Sequence, residues 1–219
     1  MTSRPHPGPE VRAEARDHDS AAPLSGGALE GRRLGWLLLV AGTVGFVAAF
    51  VLAVEKYVLL ADPSYVPSCS INPVLSCGSI MSSPYAQALG FPNPLIGIAG
   101  FTVVVVSGAL LIGGTPLPRW YWTGLQIGST AGVLFVHWLI FVSLYRIGAL
   151  CPYCMAVWVV TVLVFWYVTL CNLTGLTAGR SRLVNAVSAR HPIVVVVWLL
   201  IVTALILQAF WLYWQTLLP

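Results

Sequence analysis

Cys151-Pro152-Tyr153-Cys154 sets two thiols three positions apart, just ahead of an uncharged apolar stretch from Met155 to Leu170. Thiols at that spacing close a small disulfide or share a metal. At the start of a helix, unpaired backbone N–H groups and the helix dipole favour a thiolate on the first cysteine. A reactive pair at the mouth of a membrane helix implies redox chemistry at a lipid–water boundary. Cys69 and Cys77 form a second local pair, separated by Ser-Ile-Asn-Pro-Val-Leu-Ser. Asn72-Pro73, with Pro67 and Gly78 nearby, marks turns that can bring these two sulfurs to bridging distance. The fifth cysteine, Cys171, lies at the far end of its apolar stretch and reads as a small packing residue.

The elements that must position these thiols are membrane helices. The chain has 219 residues, of which 58% are hydrophobic and 8% charged, against roughly 25% charge in a soluble domain. Five segments reach the ~20 apolar residues needed to cross a bilayer: Leu34–Val54, Leu95–Gly114, Trp120–Tyr145, Cys151–Asn172 and Ile193–Trp214. None contains Lys, Arg, Asp or Glu, and the basic residues are too scattered to suggest nucleic-acid binding. The expected fold is an all-α integral membrane protein, a four-helix transmembrane bundle plus a fifth transmembrane helix. Arg32, Arg33, Arg119, Arg180, Arg182 and Arg190 fall on one side of the spans, and only Lys56 and Arg146 on the other. The positive-inside rule then makes the N-terminus cytoplasmic and turns the four clustered cysteines to the extracytoplasmic side. Residues 1–30 read as a disordered cytoplasmic tail and 31–172 as the catalytic bundle. The outer loop of that bundle covers 55–94, and 173–219 form a cytoplasmic loop and the fifth span. Ile80 to Leu89 shows roughly helical spacing of apolar residues and is expected to form a short amphipathic helix on the membrane surface.

Three chemistries suit the four outer cysteines: two structural disulfides, a tetrahedral zinc site, or a relay of exchangeable disulfides. The seven-residue gap is wide for a zinc knuckle and an outer compartment oxidises thiols. Membrane helices have little need of stapling. The relay fits best, since exchange runs through a mixed disulfide formed by an accessible thiolate. The loop pair is expected to be exposed enough to meet a protein partner, whereas the C-x-x-C pair sits at membrane depth. Electrons reaching that inner pair must leave. The sequence offers no G-x-G-x-x-G motif, no haem C-x-x-C-H and no iron–sulfur spacing. A lipid-dissolved two-electron acceptor is the economical choice, and a quinone matches it. After Asp62 there is no Asp or Glu, so water, thiols or hydroxyls must supply the protons. His137 reads as a packed neutral histidine bonded to a neighbouring helix. Arg146 is placed to stabilise a thiolate or to snorkel to headgroups.

Cys69-x7-Cys77, Ser83, Pro92-Asn93-Pro94 and Cys151-Pro152-Tyr153-Cys154 together resemble the vitamin K epoxide reductase family, most closely its five-helix bacterial branch of actinobacterial character, over about Leu34 to Asn172. The resemblance implies a four-helix bundle around a quinone, menaquinone or related, in a bacterial plasma membrane. It implies that Cys69 exchanges with a protein partner, that Cys77 attacks Cys151, and that Cys154 faces the quinone in a charge-transfer contact. Ser83 matches a position in the segment covering the site, and Asn93 a donor to a quinone oxygen. The donor of electrons would be a thioredoxin-fold (Dsb-type) thiol protein, expected to be separate because the chain carries no fused thioredoxin-like domain, and the outcome disulfide formation in secreted proteins. Trp158 stands where mammalian members carry a tyrosine linked to anticoagulant binding. It is expected to line the quinone site, and vitamin K epoxide reduction in the strict sense becomes the alternative. A membrane scaffold with structural disulfides is the alternative from another class.

Overall fold

The computed structural model describes residues 28–177 and 191–215. Most of the expected tail, most of the segment between the fourth and fifth spans, and the last four residues lie outside them. Five helices are long and apolar enough to cross a membrane, as the sequence implies, and no strand pairs among the described residues except one isolated bridge. In chain order, α1 covers Ala28–Ala61, α2 Cys77–Ser82, α3 Asn93–Ile112, α4 Arg119–Val142, α5 Pro152–Thr177, α6 His191–Ala209 and α7 Trp211–Gln215.

Local sequence sets these limits. α3 and α5 open with a proline in the first positions, where the missing N–H costs nothing and the fixed φ suits a helix. α4 starts directly after Pro118. α2 is capped by Ser76, whose Oγ accepts from Ser79 N at 3.3 Å. Two expectations need correction. Ile80–Leu89 is not one amphipathic helix: α2 ends at Ser82, and a separate 3-10 turn spans Pro84–Gln87. Pro84 has no N–H to continue the helix and disfavours helical backbone at Ser83, which is extended at ψ 150°. The loop also starts later than residue 55, because α1 runs unbroken to Ala61. No Gly or Pro interrupts Val54–Ala61, so the helix carries Glu55 and Lys56 past the apolar run.

α1 packs along α3 and α5, and α5 along α4. Glycines let α1 and α3 approach backbone to backbone: a Cβ on Gly108 would stand 2.5 Å from Leu39 N and 2.8 Å from Gly35 O. α3 and α4 do not pack closely, so the bundle order α3–α1–α5–α4 leaves a gap. One hydrogen bond between Ser107 Oγ and Tyr121 OH, 2.7 Å, ties the two helices at the end remote from the C-x-x-C pair. At that same end Gln126 donates to Thr169 Oγ1 at 2.9 Å and accepts from Asn172 at 3.0 Å, fastening α4 to α5. Cys171 packs against the apolar core there. α6 lies against the thiol-end half of α4, where Trp198 Nε1 donates to His137 Nε2 at 3.0 Å while His137 Nδ1 pairs with Val133 O at 2.8 Å. The histidine is thus an inter-helix link.

Candidate active site

Two backbone devices bring the distant cysteines together. Past α4, a wide turn over Ser143–Ile147 closes on Gly148, whose φ of 69° suits glycine. Ser143 Oγ donates to Ala149 O, and Gly148 N donates to Ser143 O at 3.0 Å. This turn directs Leu150 toward the loop. There Leu150 N donates to Val74 O at 2.7 Å and Ser76 N donates to Leu150 O at 2.9 Å. The resulting short parallel bridge, Leu75 against Leu150, stands immediately before Cys77 and Cys151. Asn72 Oδ1 holds the turn behind it by accepting from Val74 N at 3.0 Å and Leu75 N at 2.7 Å.

Cys69 and Cys77 form a disulfide, while Cys151 and Cys154 are thiols. Cys151 Sγ lies 2.9 Å from Cys77 Sγ. Cys77 has no proton to give, so this contact sets a nucleophile against a disulfide sulfur, at the separation of a near-attack arrangement. Cys69, Cys77 and Cys151 place their sulfurs within 4.8 Å of one another. The apolar helix long enough to cross the membrane begins at Pro152 and not, as the sequence suggests, at Cys151, which therefore precedes the span; the Cys151 pKa is held below the ordinary thiol value. The Cys154 thiol donating to it has the largest effect, and the backbone N–H groups of Cys154 and Tyr153 add to it. Burial and the charge of Glu55 act in the opposite sense. The loop pair is not exposed, contrary to the sequence reading: Cys69 is 5% and Cys77 0% accessible. The Pro67 turn and the bridge fold both sulfurs inward against Leu52, Met81 and Cys151. Neither sulfur of the loop pair is open to solvent in this arrangement. Val66 and Ile71, both 70% exposed, flank Cys69 on the surface.

Beside the sulfurs lies an apolar cavity of about 810 Å³, lined at one end by Cys77, Cys151 and Cys154 and reaching Trp120 and Tyr121 at the other. It occupies the gap between α3 and α4. Each residue expected at a ligand site borders it: Ser83, Asn93, Cys154 and Trp158. Trp158 is buried and packs in one cluster with Val136, Ile140 and Leu150, and of these Trp158 and Val136 line the cavity. Ser83 Oγ donates to Ile80 O at 2.7 Å, so its hydroxyl also finishes α2. Asn93 clasps the 3-10 turn over the cavity: its amide donates to Tyr85 O at 2.8 Å, and its carbonyl accepts from Ala88 N at 3.0 Å. One amide hydrogen is left for a ligand.

Two further residues belong to the site. Glu55 is buried and accepts from the hydroxyl of Ser68 and, at 3.4 Å, from its backbone N–H. Tyr65 also donates to Glu55, which pushes the tyrosine pKa up. Lys56 is buried on the cavity wall. The sequence reading treated Lys56 as an outer-loop cation and gave Glu55 no role. The signal was present, since Ala49, Leu52, Ala53 and Lys56 recur at helical spacing on the buried face of α1. Arg146, in contrast, is exposed and lies over the Phe141 ring at 6.0 Å, where it contacts no thiol.

Residues 36–169 match the vitamin K epoxide reductase family, a stretch that runs from α1 through most of α5. No curated protein matches the chain.

Proposed function

The chain belongs to the vitamin K epoxide reductase family, and on that premise we propose that this multi-pass membrane protein passes electrons from a reduced thioredoxin-fold thiol protein to a membrane quinone. Family membership together with the cysteine cluster supports a redox role. The observation that carries the electron path is the 2.9 Å contact between Cys77 and Cys151, set beside a large apolar cavity that Cys154 borders. The protein is proposed to lie in a bacterial plasma membrane with its N-terminus cytoplasmic and its thiol end extracytoplasmic, as the basic residues favour.

The residues fit a quinone. The cavity is apolar, of the size of small-molecule sites. Its polar groups gather at the thiol end, where the remaining amide hydrogen of Asn93 would meet a ring oxygen, Ser83 would stay in the covering segment and Trp158 would wall the ring. When bound, a quinone supplies acceptance of two electrons and two protons. The protein does the rest. The partner's dithiol reduces Cys69–Cys77 through a mixed disulfide on Cys69, and the partner becomes a disulfide. Cys77 thiolate then attacks Cys151 of the Cys151–Cys154 disulfide, Cys154 leaves as thiolate, and Cys69 closes the loop pair again. This ends in the redox state described above, with the loop pair oxidised and the C-x-x-C pair reduced. Trp158 and the 3-10 turn exclude water from Cys154, and Asn93 holds that turn in place.

The test supplies purified protein with a reduced thioredoxin-fold protein and a menaquinone analogue, and follows quinone absorbance. Turnover is expected in the wild type and only background in Cys154→Ala. Cys77→Ala is expected to accumulate a partner adduct on Cys69, identified by mass spectrometry. Quinone reduction that is equal in Cys154→Ala and wild type would remove the reading.

A further inference from the structure

Lys56 presents an unmatched charge inside the cavity. It is 7% exposed, although a lysine this near a helix end ordinarily snorkels to water. Its Nζ donates to Met81 O at 2.7 Å, its only hydrogen-bond acceptor among the described residues. An ammonium has three donors, so two point elsewhere. The neighbouring acid does not take them, because Glu55 is engaged by Ser68 and Tyr65. The cavity that Lys56 lines is almost wholly apolar. Leaving two of a cation's three donors without a partner in such a place is costly unless a ligand completes them. Met81 belongs to α2, the helix that begins with Cys77. Lys56 is thereby tied to the helix that carries Cys77, and both residues line the cavity.

We propose that Lys56 is a catalytic residue of the quinone site, whose ammonium meets one ring oxygen and stabilises the negative charge that gathers there as electrons arrive. This rests on the quinone reading above. The Cys151–Cys154 dithiol loses two electrons and two protons as its S–S bond forms. The quinone gains the same two electrons and two protons, and Lys56 ends in its starting charge state. With no carboxylate after Asp62, Lys56 is the only formal charge on the cavity wall among the described residues. Asn93 and Ser83 border the cavity as neutral groups, so the charge-assisted contact falls to Lys56, and such contacts are about twice as strong as neutral ones.

The test separates charge recognition from turnover. Two probes are titrated into the full-length protein, with tryptophan fluorescence quenching as the readout: neutral 1,4-naphthoquinone, and its 2-hydroxy derivative, an anion at neutral pH. Lys56→Met is expected to weaken the anion about tenfold to a hundredfold, the worth of a charge-assisted bond, and the neutral probe less than about threefold. Lys56→Arg should recover most of the loss. In the kinetic arm, Lys56→Met should lower quinone reduction about a hundredfold, as removal of one preorganised donor does. Reduction of the Cys69–Cys77 disulfide by a small dithiol should stay within about twofold of wild type. Should Lys56→Met fail to fold, Lys56→Gln, which keeps a donor for the Met81 carbonyl, replaces it with the same expected pattern. Equal weakening of both probes, unchanged anion binding, or parallel loss of both half-reactions would overturn the role of Lys56. The electron path itself would survive those results, since it fails only if Cys154→Ala turns over like wild type.

Discussion

Cys151 works under opposed influences. The Cys154 thiol and two backbone N–H groups favour its thiolate, whereas burial and Glu55 oppose it. The favourable side wins, so the fraction of thiolate below the ordinary thiol pKa should exceed that of a free cysteine. A small alkylating reagent, with modification at Cys151 followed by mass spectrometry across pH, should give a midpoint below that of an unperturbed thiol. Cys154→Ala removes the largest favourable influence and leaves the burial, so its midpoint should move upward. An unmoved midpoint would mean that the C-x-x-C spacing does not tune the Cys151 thiol. At this scale the sequence was largely legible. All four chemistry-bearing cysteines and the residues Ser83, Asn93 and Trp158 border one site. Glu55 and Lys56 were not legible as site residues, because charges next to an apolar run read as its end unless the helical face they share with Ala49 and Leu52 is followed.

Among the elements, the short bridge between Leu75 and Leu150 decides the most. It converts two remote stretches into neighbours and sets Cys77 against Cys151. Leu150→Pro removes the N–H that reaches Val74 O at 2.7 Å. Exchange between the two pairs depends on sub-ångström placement, so it should slow about a hundredfold. Rapid-quench trapping of the pairs after a pulse of dithiol measures this directly, and helix content by circular dichroism should remain near wild type. Retention of the wild-type exchange rate would show that the bundle alone aligns the sulfurs. Prolines stand at several helix starts, Pro94, Pro118 and Pro152. The same residue type at Pro84 split an apparently continuous amphipathic pattern, since spacing of apolar residues reports a face but not an unbroken hydrogen-bond ladder.

For the whole molecule, the match to the family ends at residue 169, before α6. The described part of α6 fastens to α4 through Trp198 and His137. Trp198→Phe deletes that donor and should cost about 0.6 kcal/mol, the average of inter-helix hydrogen bonds in membranes. Thermal unfolding in detergent would register the loss, and electron transfer from thiol to quinone should be unchanged. A large fall in turnover would place the fifth span in the catalytic unit. The all-helical membrane architecture and the grouping of the outer cysteines into two local sets were legible in the residues alone. Apolar length, charge distribution and cysteine spacing are local properties, and the bilayer leaves helices few alternatives. That the loop pair is buried, that α3 and α4 part to form a cavity, and that a lysine lines it emerge from packing. Those outcomes follow from how helix faces and turns pack across many intervening residues, where close approach at glycines such as Gly108 and one bridge at Leu150 select among arrangements that periodicity alone leaves equal.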